Sequence, residues 1–280
     1  MSNQSNRSDV VEKARDYYNS TDADNFYFRV WGGEDIHVGT YKDDQEDIAP
    51  ASQRTVEKMV EHLGNLPEGA KILDIGAGYG GSARFLAKKH GYQVTAFNLS
   101  EVENERDRAM NKEQGLDHLI DVVDGDFENL PFEDDSFDAV WCQDSILHSG
   151  DRKKVFAEVD RVLRSGGPFV FTDILQRADA DKEALQPVYD RIHLPNLGSV
   201  EAYDEYAKEL NWEKVCFEEM AEQLQRHYQK VHDVLESRYD ELKEFISTEY
   251  LDRMKMGLQH WVKAGREGNL SWGILHYRKR

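Results

Sequence analysis

Lys71-Ile-Leu-Asp-Ile-Gly-Ala-Gly-Tyr-Gly-Gly-Ser-Ala-Arg-Phe-Leu-Ala-Lys-Lys89 is the stretch that decides the fold. An apolar run from Lys71 to Ile75 breaks into glycines and then into a helix-period pattern from Ser82 to Lys89, which reads as strand, tight turn and helix. Glycines at 76, 78 and 81 let the backbone turn sharply and approach a ligand where a side chain would clash, with a helix N-terminus behind them. The unit recurs downstream. Gln93 to Leu99 reads as a strand and Glu101 to Gln114 as a charged helix closed by Gly115. Leu119 to Val123 and Phe137 to Cys142 are further strands, Asp151 to Leu163 is a helix, and Phe169 to Ile174 is a fifth strand. Strands and helices alternating at this pitch imply right-handed crossovers, so the expected class is α/β, a mostly parallel sheet with helices on both faces.

Working outward, Met1 to Arg7 belong to a polar tail of about eight residues, and residues 9–25 suggest a short helix followed by a loop from Ser20 to Asn25. Phe26 to Tyr41, with its aromatics, Gly32-Gly33, His37 and Gly39, has the composition of an active-site lid or wall. A helical pattern from Pro50 runs through Val56, Met59, Val60 and Leu63 and stops at Gly64 and Pro67. Beyond Asp179 come helical patterns at Gln186 to Ile192 and Val200 to Leu210, and a strand at Lys214 to Phe217. A long helical stretch from Met220 to Trp261 and a last strand, Ser271 to Tyr277, follow. The expected organisation is residues 1–68 as N-terminal helices and lid, 69–178 as a Rossmann-like ligand-binding core, and 179–280 as cap helices plus the last two of seven strands. Together they would form one compact domain.

The 280 residues include 54 Asp+Glu against 35 Lys+Arg, a net charge of −19. Such a field repels phosphate, so nucleic acid is not an expected partner. A hydrophobic content of 39% with 11% aromatics is enough to bury a core. No apolar run approaches the ~20 residues that span a bilayer, and the first residues lack a secretory pattern, so no membrane association is expected. Cys142 and Cys216 have no zinc-type spacing and read as small buried residues in a reduced cytoplasmic setting. His227, His232 and His260 lack a second ligand at a useful spacing, so no metal site is expected. The surplus acid reads either as a solvated surface or as adaptation to a salt-rich cytoplasm.

Residues at the strand tips indicate the ligand. Gly76, Gly78 and Gly81 also satisfy the dinucleotide pattern, but Asp74 would repel a pyrophosphate and attract the ammonium of an amino-acid moiety. Asn98 ends the second strand where a ribose-binding acid usually sits, with Leu99 beside it. Asp126-Phe127 offers an acid and an aromatic edge to an adenine, and Gln143 opens the Gln143-Asp-Ser-Ile-Leu-His148 segment at the ligand edge of the sheet. The set favours S-adenosylmethionine. A nicotinamide-dependent oxidoreductase and a non-catalytic S-adenosylmethionine-binding regulator remain alternatives on the same sheet. Each residue also has a structural reading: turn chemistry for the glycines, a cap for Asp126, core for Phe127.

Phe26-Tyr-Phe-Arg-Val-Trp-Gly-Gly-Glu-Asp-Ile-His-Val-Gly-Thr-Tyr41, Leu73-Asp-Ile-Gly-Ala-Gly-Tyr-Gly-Gly81, Gln143-Asp-Ser-Ile-Leu-His-Ser149, Gly257-Leu-Gln-His-Trp261 and Leu270-Ser-Trp-Gly273 carry a resemblance. From about Tyr17 onward the chain resembles the sarcosine/dimethylglycine N-methyltransferases of glycine betaine synthesis, within the class I S-adenosylmethionine-dependent methyltransferases. A weaker similarity links it to phosphoethanolamine methyltransferases, in which the residue matching His148 is paired with an N-terminal tyrosine; the counterpart falls near Tyr17 or Tyr18, but the spacing does not align and neither is taken as catalytic. The resemblance implies a Rossmann-like class I fold with a seven-stranded sheet and helical cap, and methyl transfer to the nitrogen of sarcosine and then dimethylglycine, without a metal. Another small amine, glycine or a phosphobase, is the neighbouring possibility.

His148 is the candidate base, with Asp144 four residues earlier as its orienting partner if the residues between them form a helical turn. Tyr27 is expected near both cofactor and substrate. Aromatic faces suit a quaternary cation, and Tyr27, Trp31, Tyr41, Trp261 and Trp272 are candidates, Tyr27 and Trp31 foremost. Arg191 is the expected partner of the substrate carboxylate, with Arg29 and Arg177 as alternatives. A small amine is the expected partner, and the chain is expected to act as a monomer or weak homodimer.

Overall fold

The computed structural model describes residues 9–192 and 194–280; the expected polar tail lies outside the described residues. Seven strands form one sheet in the order β3-β2-β1-β4-β5-β7-β6. They are β1 (Lys71–Ile75), β2 (Gln93–Asn98), β3 (Ile120–Asp124), β4 (Ala139–Gln143), β5 (Pro168–Gln176), β6 (Glu213–Glu219) and β7 (Leu270–Arg278). The first five pair in parallel, while β7 runs antiparallel to both β5 and β6. Strands buried on both faces need continuous apolar runs, which is how β4 and β5 read, since every residue of β4 is buried.

The helices are α1 (Asp9–Tyr18), α2 (Thr21–Val30), α3 (Ile48–Leu63), α4 (Gly81–His90), α5 (Glu101–Glu113), α6 (Arg152–Val162), α7 (Lys182–Ile192), α8 (Val200–Glu209), α9 (Ala221–Ser237), α10 (Tyr239–Leu242) and α11 (Thr248–Arg266). One buried cluster joins α2, α3, α9 and α11 to one sheet face through Trp141, Trp261 and Trp272. A second fills the other face around Phe156, Phe169, Phe171 and Tyr203. Among the described residues no helix is long and apolar enough to cross a membrane.

Two expectations about local structure fail. Ser20 to Asn25 is not a loop: the Ser20 hydroxyl accepts the Ala23 N–H at 3.2 Å and starts α2, with Asp22 and Asp24 in its first turn. The segment expected to serve as a lid is therefore helical as far as Val30 and irregular only beyond it. Met220 to Trp261 is not one helix either. It divides into α9, α10 and most of α11, and Ser247 caps α11 by accepting the Tyr250 N–H at 3.3 Å.

Strand order reverses between β1 and β4, and in open α/β sheets the crevice at such a point is the ligand site. The glycine loop after β1 and the segment after β4 form its two lips.

Candidate active site

Two adjoining cavities open at this edge. The first lies over the glycine loop and is lined by Asp74, Gly76, Gly78, Asn98, Leu99, Asp126, Phe127 and Gln143, all eight expected there. Tyr27, the ninth, lines only the second cavity, because α2 carries its ring toward the cap.

Gly76 has φ +74°, and a Cβ there would collide with Ser145 across the crevice. Gly78 has φ +56°, and its face is covered by Ile36 of the lid at 3.0 Å from a Cβ position. Both demand glycine for backbone and contact reasons together. Behind them the Asp74 carboxyl is buried with Oδ2 lacking a hydrogen-bond partner. Burial, with Asp107 adding repulsion, pushes its pKa up to about 8. A cationic ligand group would relieve both.

Asn98 Nδ2 donates to Glu103 Oε2 at 2.9 Å. Glu103 is buried, lines the first cavity and has its pKa pushed up to about 7 by burial. So an acid does stand at the tip of β2, supplied from α5. Sequence reasoning misses it because Ser100 and Glu103 look like a capping box, and Ser100 does cap α5. Both Asp126 oxygens accept within its own turn, from Glu128 N–H at 2.8 Å and Asn129 Nδ2 at 3.1 Å. Gln143 Oε1 accepts from Ser82 and from Trp141 Nε1, leaving a buried Nε2 without a partner.

The second cavity, about 460 Å³, lies between the crevice and the cap, and Tyr18, Ile36, His37, Asp144 and His148 line both. Its walls are aromatic: Tyr17, Tyr18, Tyr27, Trp31, Tyr228 and Trp261. Tyr41 and Trp272 are not among them. Tyr41 hydroxyl pairs with His227 Nδ1 at 2.8 Å, and Trp272 Nε1 donates to Asp144 Oδ1 at 2.7 Å.

Arg191 enters this aromatic box from α7. Its guanidinium is buried, with Nη2 beside Met254 Sδ at 3.5 Å and Nη1 without any partner. Burial works against its charge, while electrostatic interaction with Tyr17, Tyr27, Tyr228 and Tyr250 works for it, and the net direction of its pKa is upward. A Cβ at Gly257, inside α11, would occupy the space of Arg191 Nη1. A glycine there costs the helix about 1 kcal/mol relative to alanine and makes room for the cation. Neither alternative arginine lines the cavities: Arg29 lies over the Phe245 ring at 3.6 Å, and Arg177 pairs with Glu219.

The expected Asp144–His148 pair does not form. Asp144 has φ +49°, so the chain leaves helical geometry before the 3-10 turn of Ile146–His148 begins. Its carboxylate instead accepts the Val38 N–H at 2.7 Å and the Trp272 indole N–H, tying the lid to β7. His148 Nε2 meets the Tyr18 hydroxyl at 2.9 Å. Burial, helped by Arg152 and Arg191, lowers the His148 pKa to about 4, so the ring is neutral at physiological pH.

A parallel sheet extended by an antiparallel β7 inserted beside β5, with a glycine loop after β1 and a cap over its edge, defines a class I S-adenosylmethionine-dependent methyltransferase. The family profile of the methyltransferase domain matches residues 73–171. A sarcosine/dimethylglycine N-methyltransferase of Halorhodospira halochloris is 55% identical over 96% of this chain and 97% of its own length. One from Aphanothece halophytica is 54% identical over 96% and 98%. Among solved structures, a Galdieria sulphuraria protein assigned as a sarcosine dimethylglycine methyltransferase superposes with a TM-score of 0.89. It is 44% identical and is matched over 94% of this chain and 98% of its own. The chain belongs to the sarcosine/dimethylglycine N-methyltransferase family.

Proposed function

We propose that the protein methylates the nitrogen of sarcosine and of dimethylglycine, ending in glycine betaine. The observation that carries this reading is the buried, partnerless Nη1 of Arg191 inside an aromatic box. A buried guanidinium without an anion is costly, and a small amino acid would bring a carboxylate to it and an amine to the aromatic faces. S-adenosylmethionine would supply an electrophilic methyl group on its sulfonium. The orphaned Asp74 oxygen and the cradle of Gly76 and Gly78 fit its ammonium and backbone, Glu103 with Asn98 its ribose diol, and Leu99, Asp126 and Phe127 its adenine.

The chain's task is then to align and dehydrate. Arg191 would fix the substrate carboxylate and Tyr27, Trp31 and Trp261 would surround the alkylated nitrogen, so that its lone pair faces the crevice. The substrate nitrogen must lose a proton before it attacks. The Tyr18 hydroxyl, held by the neutral His148 imidazole, stands at the junction of the two cavities, where its oxygen would accept the ammonium N–H and lead the proton out to solvent.

Incubating the protein with labelled S-adenosylmethionine and a panel of amines, with products identified by mass, tests this. Turnover of sarcosine and dimethylglycine above glycine and phosphobases is expected. Faster consumption of glycine or a phosphobase would overturn the substrate assignment.

A further inference from the structure

Far from the crevice, His62 in the last turn of α3 comes against the β6–β7 pair. Cys216 and His276 stand opposite one another in that pair, so their side chains share a face of the sheet. Cys216 Sγ lies 3.3 Å from His62 Nδ1, and the ligating atoms of His62, Cys216 and His276 all fall within 4.8 Å of one another. None of the three lines either cavity.

From this geometry we propose that His62, Cys216 and His276 form a binding site for a zinc-class divalent cation. His276 is 3% exposed, and its Nε2 is buried without a hydrogen-bond partner, so the ring beside the cluster has a nitrogen that the protein leaves unsatisfied. On His62 the far nitrogen, Nε2, is 2.7 Å from Glu218 Oε2, while Oε1 of the same carboxylate takes Lys58 at 2.8 Å. A proton on Nε2 donated to Glu218 leaves the Nδ1 lone pair facing Cys216, the arrangement by which an outer carboxylate fixes the tautomer of a ligating histidine.

One thiolate and two imidazoles suit a borderline-soft, tetrahedral ion, and the half-buried His62 and Cys216 leave a fourth position open toward water. Binding would displace the Cys216 proton to solvent. The thiolate and Glu218 offset the nearby charges of Lys58, Lys214 and Arg278. An ion here would clip α3, whose Thr55 hydroxyl holds the Val38 carbonyl of the lid at 2.9 Å, to the edge of the sheet.

The test uses the full chain without a histidine tag, stripped by chelator and titrated with Zn²⁺ against a competing chelator, and with Co²⁺ as a spectroscopic probe. One equivalent per chain, a thiolate-to-Co²⁺ charge-transfer band, and a Zn²⁺-dependent rise in Tm are expected. Cys216→Ser should abolish the band and the Tm rise while leaving S-adenosylhomocysteine affinity unchanged. Glu218→Gln should weaken Zn²⁺ about 10-fold. If His276→Ala fails to fold, the half-buried Cys216→Ser still decides. Equal Zn²⁺ affinity in wild type and Cys216→Ser, or no binding that survives the competitor, would overturn the site.

Discussion

The hydroxyl of Tyr18 and Nε2 of His148, contributed from 130 residues apart, meet at 2.9 Å with their rings edge to face at 5.5 Å. Two rings joined in this way act as one unit. Tyr18→Phe removes the hydroxyl without changing the packing, so kcat for dimethylglycine should fall about 10-fold or more while S-adenosylhomocysteine affinity stays put, as isothermal titration would show. Because His148 gains a proton only near pH 4, the rate should rise with pH as substrate ammonium deprotonates, with no break at the ordinary imidazole pKa. A break near 6.5 that disappears in His148→Ala would contradict the neutral ring.

Arg191→Ala should raise KM for the carboxylate-bearing amine by about 10- to 100-fold, the range for a hydrogen bond to a charged group. Cofactor affinity should be spared. Arg191→Lys should recover only part of the loss, since a lysine cannot reproduce the planar fork. Unchanged substrate kinetics in the alanine variant would remove Arg191 from the site.

Asp74→Asn should have opposite effects on the free and liganded protein. The native carboxyl holds its proton up to about pH 8, whereas the unfolded one loses it near the ordinary value of 3.8. Between those values the native state binds more protons, so this residue's contribution to stability declines as pH rises through the window. The amide escapes that loss. Ligand-free Asp74→Asn should melt a few degrees higher at pH 8, at about 2–4 °C per kcal/mol for a chain of this size, while S-adenosylmethionine affinity falls about 10-fold. A variant that melts lower and keeps its cofactor affinity would refute the reading.

Asp144→Asn puts one acceptor where two donors converge, the Val38 N–H and the Trp272 indole N–H. One donor is left facing an amide NH₂. The expected result is a Tm lower by several degrees and kcat reduced about 10-fold, with the pH profile unchanged because Asp144 does not touch His148. An altered pH profile would restore the pairing that the φ of Asp144 rules out.

The alternation of strands and helices from Lys71 to Ile174 is legible because each element signals locally, by an apolar run, a period or a glycine. The strand tips could be read for the same reason: Asp74, Asn98 and Gln143 stand in the closing residues of β1, β2 and β4, and Asp126 just beyond β3. What could not be read depends on distant meetings or on one dihedral angle. The four-residue spacing of Asp144 and His148 suggests a helical pair, and a single left-handed residue cancels it. Tyr18 on α1 carries no local mark of its partner; only the phosphoethanolamine resemblance points to Tyr17 or Tyr18, and its spacing does not choose between them. Gly257 reads as a flaw in a helix until Arg191 fills the space above it. Cys216 and His62 are 154 residues apart, beyond any spacing rule.

β7 lies between β5 and β6 yet follows both in the chain. During synthesis on the ribosome, β1 to β5 can pair as they emerge, but β6 has no neighbour until residues 270–278 have been made. Trp272, which holds the Asp144 carboxylate beneath the lid, arrives on that same strand. Chains released before this point would carry every residue proposed to line the cofactor cavity and still present an open sheet edge and an unfastened lid. Assembly of the methyl-transfer site is thus coupled to synthesis of β7, and products truncated before it should lack activity and be readily cleaved at the open edge.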